Sequence, residues 1–193
     1  MKVLRANQYA TVPWRNGGGA TREIAVYRDA CRHDDFLWRL SIATVSKSGP
    51  FSRFDGVDRT IALLGGAGMA LRSPIGTTLL ALDTPPFSFS GETDIECAVS
   101  GGPTVDLNAM TRRGFFSHSM RRERCLGSKT IEGSADLTFV VTNHALELRA
   151  PILTSLGTLD TIAEIARGEV VELYADLAAE IFVVELSAQG QRF

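Results

Sequence analysis

Apolar and polar residues alternate with a period of two along much of this chain, and that spacing predicts β-strands rather than helices. Thr21-Arg22-Glu23-Ile24-Ala25-Val26-Tyr27 alternates, and so does Arg39-Leu40-Ser41-Ile42-Ala43-Thr44-Val45. Thr60 to Leu64, a Gly65-Gly66 turn and Gly68 to Leu71 read as a hairpin. A second hairpin runs from Thr138 to Val141, through a turn at Thr142-Asn143, to Ala145 to Leu148. Runs at Ile95 to Val99, Val170 to Tyr174 and Ile181 to Leu186 also suit strands. Residues 101–127, with Gly101-Gly102-Pro103 and several arginines, read as a connection, and any helix is expected to be short and to lie there.

The two hairpins are copies. Leu71-Arg72-Ser73-Pro74-Ile75 returns 77 residues later as Leu148-Arg149-Ala150-Pro151-Ile152, and Leu82-Asp83-Thr84 returns as Leu159-Asp160-Thr161. Gly91-Glu92 returns as Gly168-Glu169, so that eleven of 22 positions between Leu71 and Glu92 are identical at this offset. Chance supplies about one or two. Upstream, with one residue lost, Gly49, Gly56, Asp58 and Thr60 recur near Gly127, Gly133, Asp136 and Thr138. The repeat overrides one local signal. Asp160 to Ala179 is rich in Ala, Glu and Leu, as a helix would be, but its partner segment holds Pro85-Pro86, which a helix interior does not tolerate. Many short strands punctuated by Gly and Pro indicate a sandwich or barrel. Duplication then predicts an all-β chain of two small antiparallel barrels, which manage their edge strands by closing. The expected division is residues 1–110 and 111–193, with the N-terminal residues available to pair with the second barrel.

With 193 residues, 45% of them hydrophobic, the chain can bury such cores, and its net charge of −2 carries no footprint for nucleic acid or membrane. Arg112-Arg113 and Arg121-Arg122-Glu123-Arg124 form a local basic patch, readable as a solvated linker or as an anion-binding surface. Cys31, Cys97 and Cys125 are too few and too irregular for a disulfide framework or zinc knuckle, which suits a reducing compartment. The first residues lack an apolar signal core and no run of 18 apolar residues exists, so a cytoplasmic protein is expected.

Three segments can carry chemistry. Trp14-Arg15-Asn16-Gly17-Gly18-Gly19-Ala20-Thr21 places three glycines between a large aromatic and a strand. It reads either as a tight turn with Trp14 as a core plug or as a loop whose amides bind an anion. Thr21 and Glu23 share one face of the following strand. It lacks the ending and spacing of a nucleotide-binding loop. Gly49 to Arg59 leads into the first hairpin, and there Asp58 has its copy in Asp136 whereas Arg59 aligns with Leu137. A guanidinium entering a barrel strand must be paired, with Asp58 or Glu23, or meet an acidic ligand. Asp106 and Asn108 stand two apart, so with Arg39 and Ser41 they can line a polar pocket, or they cap a turn that starts the linker. His33, His118 and His144 are scattered, each reading as a surface residue, so no metal is expected. No nucleophile elbow or Cys–His pairing is present.

These segments resemble the HutD/Ves family of bicupins. The motifs are Trp14-x-Asn16-Gly17-Gly18-Gly19-x-Thr21-x-Glu23, Trp38-Arg39-Leu40-Ser41-Ile42-Ala43, Gly49-Pro50-Phe51-Ser52-x-Phe54-x-Gly56-x-Asp58-Arg59 and Asp106-x-Asn108-x-Met110-x-Arg112-Arg113. They span the first 115 residues in order; the last third is looser. Asp55 stands where the family usually has Pro, and Leu107 where it has Phe, and both are expected to be tolerated. The resemblance implies a double cupin barrel of jelly-roll type. Its first metal motif, at Gly49 to Gly65, lacks the usual histidines and glutamate, which implies a metal-free, cofactor-free pocket. The implied role is sensing or modulation in histidine utilisation, with a small carboxylate such as urocanate or formylglutamate as ligand. Expected ligand-binding residues are Trp14, Asn16, Gly17, Gly18, Thr21, Glu23, Arg39, Ser41, Phe51, Asp58, Arg59, Asn108 and Arg112, with Arg59 gripping the carboxylate. No catalytic residue is assigned. The alternative is a metal-independent isomerase or hydrolase of a formylated or unsaturated carboxylate, with Glu23 or Asp58 as base. A homodimer is compatible with either reading.

Overall fold

The structure, a computed structural model, describes residues 1–28 and 36–190; Cys31 and His33 lie outside them. Among the described residues seventeen strands follow one another: β1 (Lys2–Leu4), β2 (Ala10–Pro13), β3 (Gly19–Arg28), β4 (Phe36–Val45), β5 (Gly49–Pro50), β6 (Val57–Gly65), β7 (Met69–Ser73), β8 (Gly76–Leu80), β9 (Phe87–Ser90), β10 (Glu96–Val99), β11 (Thr104–Arg112), β12 (Phe116–Glu132), β13 (Leu137–Thr142), β14 (Leu146–Ala150), β15 (Thr154–Leu156), β16 (Thr161–Ile165) and β17 (Val170–Ala188). The alternating runs become strands where expected, and the Asp160 to Ala179 segment is extended, as its copy requires. The expected connection at 101–127 is instead taken up by β11 and the long β12. The helical element among the described residues is a 3-10 turn at Ala6–Gln8, at the other end of the sequence from the position expected. Among the described residues no helix is long and apolar enough to cross a membrane.

The chain divides into two units, one of Ala10–Phe116 and one of Met1–Tyr9 with Ser117–Phe193. In the second, terminal unit, β1 to β16 to β13 to β17 to β14 to β15 form one sheet, with β12 also on β17. The sheet curls on an apolar core that includes Val140, Leu148, Ile162, Ile165, Leu173 and Val183. Arg5 and Asp160 tie β1 to it. The Asp160 carboxylate accepts from Arg5 Nη1 at 2.7 Å, from the Ala6 amide at 2.8 Å and from the Gly157 amide at 3.0 Å. Burial pushes that carboxyl up, but these donors outweigh it and hold it below its ordinary range.

The Ala10–Phe116 unit has two sheets, β2-β3-β4-β11-β6-β9 and β5-β10-β7-β8, with antiparallel pairing throughout. Between them lie Val45, Ile61, Leu63, Met69, Leu71, Leu80, Ile95 and Cys97, with Trp14, Phe51, Phe87 and Phe89 packed against the cluster. Each such side chain contributes roughly 1.5–3 kcal/mol by leaving water. The architecture is therefore all-β with curled sheets. The sheets remain open, ending at β2 and β9, at β5 and β8, and at β1 and β15, where closed barrels were expected.

The glycine loop before β3 turns on its own backbone. The Gly17 amide donates to the Trp14 carbonyl at 3.0 Å, and the Gly18 amide to Asn16 Oδ1 at 2.9 Å. Gly17 has φ +64°, and a Cβ on Gly19 would overlap the Thr44 carbonyl oxygen and press on the Trp14 ring. Gly19→Ala should therefore lower the free energy of unfolding by about 1–3 kcal/mol in urea titrations. Gly49→Ala, into open space, should change it by less than about 0.5 kcal/mol. Equal effects would contradict the close approach described.

Candidate functional site

The register of three strands builds the site. Across β4, β11 and β6, Met110 stands opposite Arg39 and Arg59, Asn108 opposite Ser41 and Ile61, and Asp106 opposite Ala43 and Leu63. Residues opposite one another in antiparallel strands share a face. One face thus carries a polar block at one end and joins the apolar core through Ile61, Leu63 and Val45. Over the block lies a cavity of about 440 Å³. Its lining adds Thr21 from β3, Trp14, Arg15 and Asn16 from the glycine loop, and Phe51, Ser52 and Phe54 from the segment before β6. Trp14 is fixed by its indole N–H, which donates to Thr21 Oγ1 at 2.8 Å.

Arg59 is 5% exposed. Its Nη1 donates to the Ser52 carbonyl at 3.1 Å, and its guanidinium lies 5.4, 5.5 and 4.8 Å from the ring centres of Phe51, Phe54 and Phe89. Arg39 lies 5.1 Å from Phe36 and 5.4 Å from Phe54, with Nη2 3.4 Å from Met110 Sδ. Cation–π contacts of this kind stabilise a desolvated cation but leave its N–H groups wanting acceptors. Nε of both arginines is buried without a partner. Burial pushes both guanidinium pKa values down, Arg59 to about 10, so both stay charged at neutral pH. Asp106 is 1% exposed, and neither carboxylate oxygen has a hydrogen bond; nor has Asn108 Oδ1. Burial drives the Asp106 carboxyl up to about 7, opposed by the charge of Arg59. Two cations and a poised carboxylate thus face a shared space with their hydrogen-bonding capacity unspent. Such a group can hold an anion, and Asp106 can exchange a proton near neutrality.

Of the residues expected to bind ligand, Trp14, Asn16, Thr21, Arg39, Ser41, Phe51, Arg59 and Asn108 line the cavity together. Gly17, Gly18, Glu23, Asp58 and Arg112 are not among its lining residues. The Gly17 and Gly18 amides are consumed within the turn, and the Gly18 carbonyl accepts from Ser46 and Lys47. Glu23 pairs with Arg28 at 3.4 Å. Asp58, next to Arg59 on β6, points the other way and holds Arg113 at 2.6 Å. Arg112 reaches backbone oxygens of Phe36 and Asp55 at the end of β11. Neither Asp58 nor Glu23 pairs with Arg59. Phe54, Ser52, Met110, Ala43 and Val45 also line the cavity, and their signal was present: Ala43, Val45 and Met110 continue the period-two rows of Arg39 and Asp106. Leu137, aligned with Arg59 in the repeat, lies on the opposite face of β13 from the core residue Val140. The alignment slips by one residue relative to the fold.

Comparison with known proteins gives the family and the fold. The HutD family model matches residues 6–180. The chain belongs to the HutD family. It is 43% identical over 109 residues to an uncharacterized 21.2 kDa protein in the hutC 3' region of Pseudomonas putida, covering 56% of each. To Protein Ves of Citrobacter koseri it is 44% identical over 101 residues, covering 52% of each. The chain thus spans about half the length of the curated relatives it matches. HutD from Pseudomonas fluorescens superposes with a TM-score of 0.82 at 27% identity, covering 98% of this chain and 99% of that one. A likeness of fold alone reaches the salicylate 1,2-dioxygenase of Pseudoaminobacter salicylatoxidans, at TM-score 0.56 and 8% identity over 93% of this chain and 81% of that one. Among the described residues of this HutD protein, no group of three His, Cys, Asp or Glu side chains is placed to hold a metal ion.

The raised Asp106 pKa makes the folded state bind a proton more tightly than the unfolded chain does. Stability from this group is therefore complete below about pH 4 and is lost as pH rises toward 7. Urea unfolding of wild type and Asp106→Asn across pH 4 to 8 should show wild type losing on the order of a few kcal/mol relative to the variant over that window. A difference that does not vary with pH would contradict the assignment.

Proposed function

We propose that the chain is a bicupin whose Ala10–Phe116 cup binds a small carboxylate without a metal, and that it senses or modulates histidine utilisation. The observation that carries this reading is Arg59: buried to 5% exposure, aimed into the cavity and bonded to no carboxylate. A desolvated guanidinium is stabilised most by a planar anion that fills its fork. Arg39 adds a second cation on the same row. Membership of the HutD family, and a relative in a hutC region, support a ligand from histidine breakdown, such as urocanate or formylglutamate. The terminal unit, with its apolar core, is then the second cup of the duplication, serving as scaffold.

One observation favours a second reading, a metal-independent isomerase or hydrolase. Asp106, with a pKa near 7 inside the cavity, is better placed as general base than Glu23 or Asp58, which lie outside it. Turnover of urocanate or formylglutamate by chelator-treated protein would establish that reading, and its absence leaves the binding role.

Calorimetric titration of urocanate and formylglutamate separates ligand from scaffold. Arg59→Leu should cost about 2 kcal/mol or more of binding to whichever acid binds, with the fold retained by far-ultraviolet circular dichroism. Equal heats from the two proteins would remove Arg59 from the site.

A further inference from the structure

Within the cavity the unpartnered groups are of two kinds. Arg39 Nε and Arg59 Nε are donors, whereas Asp106 Oδ1 and Oδ2 and Asn108 Oδ1 are acceptors. A bare carboxylate answers only the donors. It would leave three buried acceptor atoms without hydrogens, and unsatisfied buried polar groups are costly. It would also bring a further negative charge toward Asp106. The strand rows set the layout: both arginines flank Met110, and Asp106 lies four residues along β11 from it. A ligand that satisfies both kinds carries an anion for the arginines and a separate N–H for the acceptors.

We propose, resting on the carboxylate reading above, that Asp106 and Asn108 form an acceptor wall that selects acids bearing an N–H donor besides the carboxylate, as in N-acyl amino acids or imidazole-bearing acids. Asp106 touches the ligand directly in this arrangement and accepts its N–H. The nearby ionisable groups do not compete for the role. Arg39 on β4 and Arg59 on β6 are cations, Arg15 lines the cavity as a third, Glu23 on β3 pairs with Arg28, and the Cys97 thiol on β10 is pushed up to about 11 by burial first and by Asp106 next.

An isosteric pair of probes tests this: N-acetylglycine and levulinate differ only in N–H against CH₂. At pH 8, where Asp106 is ionised, wild type should bind N-acetylglycine at least about tenfold more tightly than levulinate, because only the first answers the acceptors. In Asp106→Leu, which replaces an unpaired buried carboxylate with an apolar group and should fold, the ratio should fall to within about twofold. The wild-type pair decides even if the variant does not fold. Equal affinities for the two probes, both lost in Arg59→Leu, would overturn the acceptor wall and leave the carboxylate site standing. Binding of neither probe by wild type would overturn both, and a tenfold preference that survives in folded Asp106→Leu would overturn the role of Asp106.

Discussion

Desolvation of Arg59 is the constraint around which the rest of the site is arranged. A guanidinium at 5% exposure has given up most of its hydration and stays charged only because its surroundings substitute for water. Phe51, Phe54 and Phe89 present ring faces, and the Ser52 carbonyl accepts one N–H. The segment from Phe51 to Phe54 is thereby positioned by the cation it covers. Phe54 is shared with Arg39, which sits across Met110 on the same row. Four residues along β11 from Met110 stands Asp106, close enough for its charge to act on Arg59 yet without a hydrogen bond to it. An ion pair meant only for stability would close that gap.

Asp160 in the terminal unit shows what a structural carboxylate looks like in this same chain. It is 7% exposed and receives donors from Arg5, Ala6 and Gly157. Asp106 is more deeply buried and receives none. Their pKa values accordingly move in opposite directions, Asp160 down and Asp106 up. The difference separates a residue that fastens a strand from one kept unsatisfied. The cores separate in the same way. The terminal unit fills its interior with side chains such as Val140, Leu148 and Ile162, while the Ala10–Phe116 unit gives one end of its interior to arginine, aspartate and asparagine. The sequence repeat reaches into both units, and the polar block distinguishes the Ala10–Phe116 unit.

Much of this was legible in the residues. Alternation located β3, β4 and the hairpins, and the repeat correctly refused a helix between Asp160 and Ala179, because a proline pair in one copy constrains both. Spacing put Asp106 and Asn108 on one face and offered Arg39 and Ser41 as their neighbours in a pocket lining, against a capped turn, and the pairing of β4 with β11 joins all four. What failed was parity and competition. Asp58 is adjacent to Arg59 and so must face away, and Leu137 lies on the other face of β13 from Val140, one residue out of step with Arg59. Gly17 and Gly18 seemed able to offer amides to an anion, but the turn uses those amides itself. Glu23 has the right face, yet Arg28 from the end of the same strand claims it. The arginine-rich stretch looked like a linker because charge masked its strand character. In β12, Arg121 and Arg122 are matched by Glu185 and Glu180 of β17, a pairing across long sequence separation that no local pattern reveals.

The most direct test is mass spectrometry of the protein isolated gently enough to keep its ligand. The account expects a small carboxylic acid bearing an N–H group, near one per chain in wild type and absent from folded Arg59→Leu. A stoichiometric ligand without a carboxylate, or the same acid held equally by the variant, would contradict it.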